Sequence, residues 1–198
     1  MPYLYHMKKL LFGFICLWFA QTAAAQKDSL QIDEANKYVY YKVADKPGLT
    51  ADTLYNRGLS FIKAADVKVD AVKAATNTVR GKAKFVVYNG ISVMKKESGV
   101  INYTLFIETK DGKYRYKLSD FVFTPYTRDR FNNMVPVDGI EIPVEKLETK
   151  YSKKEATEIL NQAGKFSQAT GNTITGYMNK VSNIKKAEPV KKVATDKW

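Results

Sequence analysis

The sequence predicts an α+β protein, in which helices cover an antiparallel sheet of about five to seven strands. One observation is the alternation of apolar and polar side chains on both sides of an Asp-Gly pair in residues 101–121, which is typical of a β-hairpin. The other is the helical spacing of apolar residues in residues 51–65 and again after Ser152. Each segment must bury one apolar side, and we expect the helices to bury theirs against the sheet.

The hairpin turn is predicted at residues 111–112, an Asp-Gly pair that adopts positive φ at little cost and suits a two-residue turn. With Lys110 opposite Lys113, Glu108 lies opposite Arg115 on one face. We interpret that ion pair as setting the register, because an exposed cross-strand pair contributes only about 0.2–1 kcal/mol. The other face supplies predicted core residues, namely Leu105, Ile107, Tyr116 and Leu118.

Residues 1–25 have the pattern of a signal peptide. Lys8 and Lys9 precede an apolar run at residues 10–20, which is shorter than the roughly 20 residues needed to span a bilayer. Small residues at 22–25 predict cleavage after Ala25, and Met7 is an alternative start. We therefore expect export to the periplasm, to the outer membrane or to the extracellular space, with no transmembrane helix in the mature chain.

Cleavage would remove Cys16 and His6, the only cysteine and the only histidine of the sequence. The mature chain would then contain no disulfide, no Cys or Ser-His-Asp nucleophile system and no Cys/His zinc site. We predict no metal, no cofactor and no enzymatic activity. An enzyme would have to use carboxylates, Lys or Tyr, and such a hydrolase is the alternative that we retain.

The chain is basic, with a formal charge of +12, which the loss of Lys8 and Lys9 lowers to +10. An exported protein rarely meets nucleic acid, so we predict no nucleic-acid partner. The acidic partners of a bacterial envelope are glycans, including lipopolysaccharide, and anionic lipids. A dispersed lysine excess is more commonly a solvated surface. The oligomeric state is not predicted.

Before the hairpin, residues 26–35 read as a loose polar leader, and the folded domain is predicted to cover residues 36–184. A first strand at 38–43 is followed by a helix with Thr50 as its N-cap. Its apolar stripe is predicted to contain Leu54, Gly58, Phe61, Ile62 and Ala65. Further strands are predicted at 67–72, where a helix over 64–75 competes, at 82–88 and at 91–94, before a charged turn at 95–99.

After the hairpin, residues 124–134 look irregular. Tyr126, Arg128, Arg130 and Phe131 combine guanidinium and aromatic groups, which favours contact with an anionic or glycan ligand. A plain crossover loop with Phe131 tucked under the sheet is the more common arrangement. Residues 135–144 then predict two short strands that turn at Asp138-Gly139 and lie at an edge because of two prolines. The nearest carboxylates, Asp138, Glu141 and Glu145, lack a calcium-loop pattern.

Residues 152–155 form a predicted capping box that opens a helix, and Gly164 is expected to break or bend it. The first part has an apolar stripe of Ala156, Ile159, Leu160 and Ala163. The second has one of Phe166, Ala169, Thr173, Tyr177, Met178, Val181 and Ile184. Residues 185–198 are lysine-rich and are predicted to be disordered.

The order of these elements and several motifs resemble a family of secreted bacterial proteins of unknown function described as having a TBP-like fold. The matching residues are 54–57, 81–85, the KDGKYRY motif at 110–116, and 120–121. The resemblance covers residues 38–124. It implies a curved antiparallel sheet with helices on one face, and it transfers no catalytic residue. DNA binding does not follow from the namesake, because a fold does not carry a function.

The function that we expect is a non-catalytic binding or interaction module of the bacterial cell envelope, which recognises a glycan, an anionic lipid or a protein. A purely structural envelope component is the third alternative. An open sheet face with exposed aromatic residues would favour the binding module, whereas a pocket with convergent carboxylates would favour the hydrolase.

Overall fold

The computed structural model describes residues 30–89 and 95–180. Its eight strands are β1 (Gln31–Ile32), β2 (Tyr38–Asp45), β3 (Lys68–Lys73), β4 (Thr78–Asn89), β5 (Lys96–Lys110), β6 (Lys113–Arg128), β7 (Met134–Pro136) and β8 (Ile142–Pro143). The two α-helices are α1 (Ala51–Ala64) and α2 (Lys153–Asn179), and short 3-10 helices cover Ala74–Thr76 and Val144–Thr149. The predictions for residues 1–29, 90–94 and 181–198, including the signal peptide and the lysine-rich tail, lie outside the described residues.

The strands form one antiparallel sheet in the order β1-β2-β6-β5-β4-β3. Strand β6 is longer than its neighbour β2, and β8 and β7 pair with its second half. Both α-helices pack on the same side of the sheet, against buried side chains of β5 and β6. The predicted α+β architecture is therefore confirmed.

The β5–β6 hairpin has the predicted register, with Lys110 opposite Lys113 and Glu108 opposite Arg115. Only Gly112 of the turn has positive φ, at +71°. The turn also contacts the start of α1, because the Gly112 amide donates to the Leu49 carbonyl (2.8 Å). Beside it, the Asp111 carboxylate accepts from the Ala51 amide (2.7 Å). The hairpin thus fixes where α1 begins.

Helix α1 follows its predicted pattern closely. Thr50 is the N-cap and accepts a hydrogen bond from the Thr53 amide. The predicted stripe is buried except at its end, where Ala65 is an exposed C-cap. Tyr55, which is not part of the predicted stripe, is also buried. Arg57 donates to the Met178 carbonyl of α2 (2.6 Å), so the two helices are also linked by a polar contact.

Three predictions for the strands need correction. Residues 68–73 form β3, which confirms the predicted strand at 67–72 and shows that the competing helix over 64–75 is wrong. The prediction of a charged turn at 95–99 is also wrong, because β5 begins at Lys96 and pairs with β4 from that residue onwards. Residues 31–32 of the expected loose leader form β1, which pairs with the start of β2. In each case pairing with a neighbouring strand outweighs local composition.

The two short strands at 134–136 and 142–143 do not pair with each other, contrary to the prediction. Each pairs with β6 instead, with Met134 opposite Arg128 and Ile142 opposite Phe123. The physical reason is the length of β6, whose second half extends beyond β2 and has edge hydrogen-bonding groups to satisfy. Gly139 does adopt positive φ, as expected for a turn.

Helix α2 runs unbroken through Gly164, which corrects the predicted break. Its capping box of Ser152 and Glu155 is present. The buried residues of its second half are Ser167, Gly171, Ile174 and Met178, so its packing face is rotated from the predicted stripe. The cause is close approach to the sheet. A Cβ on Gly171 would lie 2.6 Å from the Tyr116 hydroxyl and 2.8 Å from the Tyr40 ring.

This contact predicts that Gly171→Ala lowers the free energy of unfolding by about 1–2 kcal/mol, because the added methyl overpacks a buried site. Gly176→Ala is the matched control on the same helix, since a Cβ there meets no atom within 4 Å. We expect the control to raise stability by up to about 1 kcal/mol through helix propensity. Urea denaturation followed by circular dichroism measures both, and equal effects of the two substitutions would contradict the proposed packing.

Candidate binding face

The helices cover one face of the sheet and leave the other face open among the described residues. Side chains alternate between the two faces along each strand, so the open face is built from every second residue. On β5 and β6 these residues include Thr104, Phe106, Lys117 and Ser119, whereas their neighbours Leu105, Ile107, Tyr116 and Leu118 are buried in the core. An antiparallel sheet with one solvated face is expected to have this alternation.

One row of this face runs across five strands through directly paired residues. Phe106 lies at its centre, between Arg80 on β4 and Lys117 on β6. Ala71 and Tyr41 continue the row on the two outer sides. These residues line a groove of about 480 Å³. The row therefore places an aromatic ring between two cations, with the Tyr41 ring, 39% exposed, beyond them.

The charges around this groove are unbalanced. Arg115 is held by Glu108, with 2.7 Å from Nε to Oε2, as the sequence predicted. In contrast, Lys73, Arg80 and Lys117 form no ion pair with any residue that the structure describes. Because three cations of the groove are uncompensated there, the open face attracts anions.

Asp120 is the carboxylate of the groove. It lies at an irregularity of β6 with a φ of +53°, and Lys37 binds it at 3.1 Å. Burial opposes its ionisation, but the hydrogen bond and charge of Lys37, together with the Thr104 and Ser119 hydroxyls, lower the pKa of the carboxyl below its usual range. Asp120 is therefore an ionised carboxylate that is held by Lys37, and it is not a proton donor near neutral pH.

The loop residues singled out from the sequence lie away from this groove. Tyr126 and Arg128 belong to β6, not to an irregular segment. Arg128 donates to the Asn132 side chain, and the Arg130 guanidinium lies 4.8 Å from the centre of the Phe131 ring. Phe131 is 70% exposed, so its predicted burial under the sheet is wrong.

The loop conformation has a local cause. The Asp129 carboxylate accepts from the backbone amides of Asn133 and Phe131, both at 2.8 Å, and also from the Asn133 side chain. These bonds, that of the Asn133 amide above all, lower the pKa of Asp129. Such a carboxylate turn closes residues 129–133 without any apolar anchor. The Phe131 side chain is consequently left in solvent.

The carboxylates that follow do not form a site. Glu145 accepts from the Tyr38 amide (2.8 Å), which joins the segment after β8 to β2. Within residues 30–89 and 95–180, no group of three or more Asp, Glu, His or Cys side chains is placed to hold a metal ion. In the same part of the chain, neither α-helix has the length and apolar character needed to cross a membrane.

Sequence reasoning missed the central row of Arg80, Phe106 and Lys117. The alternation within the hairpin places Phe106 and Lys117 on the face of Glu108 and Arg115, but Arg80 lies outside the predicted strand at 82–88 and belongs to a strand only because β4 begins at Thr78. What the alternation could not indicate is that β4 pairs with β5 so that Arg80 faces Phe106. The only usable signal was the hairpin register, which already placed Phe106 opposite Lys117.

Comparisons with known proteins agree with this architecture. Residues 40–124 match the family described as "Domain of unknown function (DUF4468) with TBP-like fold". A DUF4468 family protein from Bacteroides ovatus has a similar crystal structure, with a TM-score of 0.58, 13% identity, and coverage of 77% of this chain and 92% of that one. A TBP-like protein from Parabacteroides distasonis also has a similar crystal structure, with a TM-score of 0.61, 12% identity, and coverage of 78% of this chain and 100% of that one. No curated protein matches.

The contact between Lys37 and Asp120 gives a prediction for pH dependence. In Lys37→Met the pKa of Asp120 should rise, because burial still opposes ionisation while the largest compensating interaction is lost. A carboxyl whose pKa is lower in the folded than in the unfolded state stabilises the fold at pH values above the unfolded pKa of about 3.9. This stabilisation is lost as the pH falls through the folded-state pKa, and it should be absent in the variant. Carboxyl-carbon NMR titration measures the pKa. Lys42→Met, at an exposed lysine of the strand β2 that follows Lys37, is the control and should leave the pKa of Asp120 unchanged.

Proposed function

Starting from a chain whose residues 40–124 match the DUF4468 family with its TBP-like fold, we propose that the protein is a non-catalytic binding module of the bacterial cell envelope. Its ligand is an acidic glycan, which lies across the open face of the sheet. The observation that carries this proposal is the row of Arg80, Phe106, Lys117 and Tyr41 across four paired strands. The predicted signal peptide supports the cell envelope as the place where the protein acts.

The row offers the two contacts that an acidic sugar needs. An arginine guanidinium binds a carboxylate through two parallel hydrogen bonds, and a lysine adds a point charge. An aromatic ring between them presents an apolar surface to the face of a sugar ring. Because the groove is open along the sheet and not closed into a pocket, it suits an extended chain better than a small molecule.

The placement of the carboxylates favours binding over hydrolysis. Lys37 binds Asp120 and Arg115 binds Glu108, so both acidic groups of this region are held in ion pairs. A glycosidase needs two carboxyl groups that flank the scissile bond, one of them with a raised pKa. The pKa of Asp120 is instead lowered. The hydrolase therefore remains the weaker alternative.

The loop at residues 129–133 provides a second contact for a long chain. Arg130 and the exposed Phe131 again combine a cation with an aromatic ring. Along β6, Lys117 and Arg128 are separated by about 35 Å at ~3.3 Å per residue. Only a polymer reaches both, so binding of longer glycans would be tighter through effective concentration.

The groove is tested by titration calorimetry with a galacturonate hexamer. We expect Arg80→Glu and Lys117→Glu each to raise the dissociation constant about tenfold or more, because a charge-assisted hydrogen bond becomes a repulsion. Phe106→Ala should weaken binding without changing the charge. Lys165→Glu, an exposed charge reversal on α2, is the matched control and should have little effect.

Two results would reject the groove as the site. One is equal weakening by Lys165→Glu and Arg80→Glu, which would indicate a general charge effect. The other is unchanged affinity in Phe106→Ala together with equal binding of an uncharged glucose hexamer. Circular dichroism of each variant confirms that the sheet is folded.

The loop has a separate test that depends on ligand length. Phe131→Ser should weaken binding of long polygalacturonate severalfold and leave the hexamer unaffected, because a hexamer is shorter than the distance from the groove to the loop. Ile140→Ser, also at an exposed apolar side chain, is the control. If Phe131→Ser weakens the hexamer as much as the polymer, the loop does not act as a second contact.

A further inference from the structure

Strand β4 extends well beyond its outer neighbour. Strand β3 begins at Lys68, opposite Lys82, whereas β4 continues to Asn89. On its other side β4 is paired with β5 along its whole length. Within the described part of the chain, residues 83–89 therefore have no neighbouring strand on that side, the arrangement to which an extended peptide can add as a further strand.

The side chain of Gln162 shows which backbone groups point to this edge. Its Oε1 accepts from the Tyr88 amide (2.9 Å), and its Nε2 donates to the Tyr88 carbonyl (2.8 Å). Backbone groups alternate in direction along an antiparallel strand, so those of Val86 and Lys84 point the same way as those of Tyr88. Neither has a hydrogen-bond partner on that side among the described residues.

A groove of about 730 Å³ lies beside this edge on the helix side of the sheet. Aromatic side chains from both helices line it, Phe61 from α1 and Phe166 from α2. On β4 itself the inward residue is Ala83, which is small and fills little of the space. Farther along β4, Phe85 stacks on Phe166, with 4.0 Å between the ring centres.

The rim of this groove is basic, because lysines that alternate towards the open face of the sheet also border it. Lys68, Lys82 and Lys84 line the groove rim, and Asp66 is the single acidic residue there. None of these lysines forms an ion pair with a described residue. The two sides of the edge thus differ, with aromatic side chains towards the helices and positive charge towards the open face.

We propose that residues 83–87 of β4 bind an extended peptide whose apolar and acidic residues alternate. Its backbone pairs with the free groups of Lys84 and Val86. Side chains opposite Ala83 and Phe85 point towards the helices and enter the aromatic groove, and those opposite Lys84 and Val86 point to the basic side. This peptide site is separate from the glycan groove, which lies around Phe106.

Charge argues against two other occupants. A second copy paired antiparallel along the same edge would bring Lys82 and Lys84 close to the same lysines of its partner, which is destabilising. The segment of this chain after residue 180 contains five lysines, so it also lacks the acidic character that the edge requires. Both occupants are distinguished in the experiment below.

The probe is a capped heptapeptide of alternating Glu and Val, added to the full-length protein. Hydrogen exchange followed by NMR should show fast exchange of the Lys84 and Val86 amides in the free protein and at least tenfold slower exchange with saturating peptide. A Lys/Val peptide and a peptide with the same composition in two blocks should give no protection. Protection in the free protein at low concentration would assign the edge to the chain's own segment, and protection that rises with protein concentration would assign it to a second copy. Either result overturns the proposal.

Val86→Pro removes the edge amide without removing a hydrogen bond to β5, and should raise the dissociation constant at least tenfold. Val86→Thr keeps the amide and should bind like the native protein. Lys84→Glu provides a second variant if the proline disturbs folding, and should weaken the Glu/Val peptide and favour the Lys/Val peptide. Unchanged affinity in both Val86→Pro and Lys84→Glu would overturn the proposed site.

Discussion

The difference between the two faces of the β5–β6 hairpin is the constraint on which the rest of the structure depends. One face carries Leu105, Ile107, Tyr116 and Leu118, all buried, and this apolar surface must be covered to be stable in water. Both helices cover it, and the turn at Gly112 docks on the start of α1. Among residues 30–89 and 95–180 both helices lie on that face, so the polar face is left uncovered by this part of the chain.

The open face is consequently where charge can accumulate without desolvation. Its cations come from β3, β4 and β6, and only cross-strand pairing brings them together around Phe106. Charges at such a surface keep most of their hydration, so they cost little stability. They are available to a ligand for the same reason. Asp120 differs, because Lys37 holds it and leaves the groove with a net positive charge.

Unequal strand lengths shape the two margins of the sheet in different ways. Strand β6 exceeds β2, and β8 and β7 pair with the remainder of its edge. Strand β4 is also longer than its neighbour β3, but no further strand pairs with the remainder in the described part of the chain. Only the Gln162 side chain binds there, at Tyr88. An exposed strand edge can pair with other chains and cause aggregation, and natural proteins often prevent this with a charged side chain at the edge. Lys84 is such a side chain. The same feature therefore serves to limit aggregation and, in the peptide site that we propose, to select acidic partners.

Local chemistry determined much of this protein. The Asp-Gly turn, the N-cap at Thr50 and the capping box at Ser152 follow from short-range backbone requirements, and the alternation in β5 and β6 follows from the pleat. The resemblance to the TBP-like family added the expectation that the helices lie together on one face of the sheet. Contacts between distant residues were decided only by the tertiary structure. They rotate α2 so that Gly171 meets Tyr116, place Arg80 beside Phe106, and join β7 and β8 to β6, because such pairings depend on which strands become neighbours and not on the pattern within any one of them.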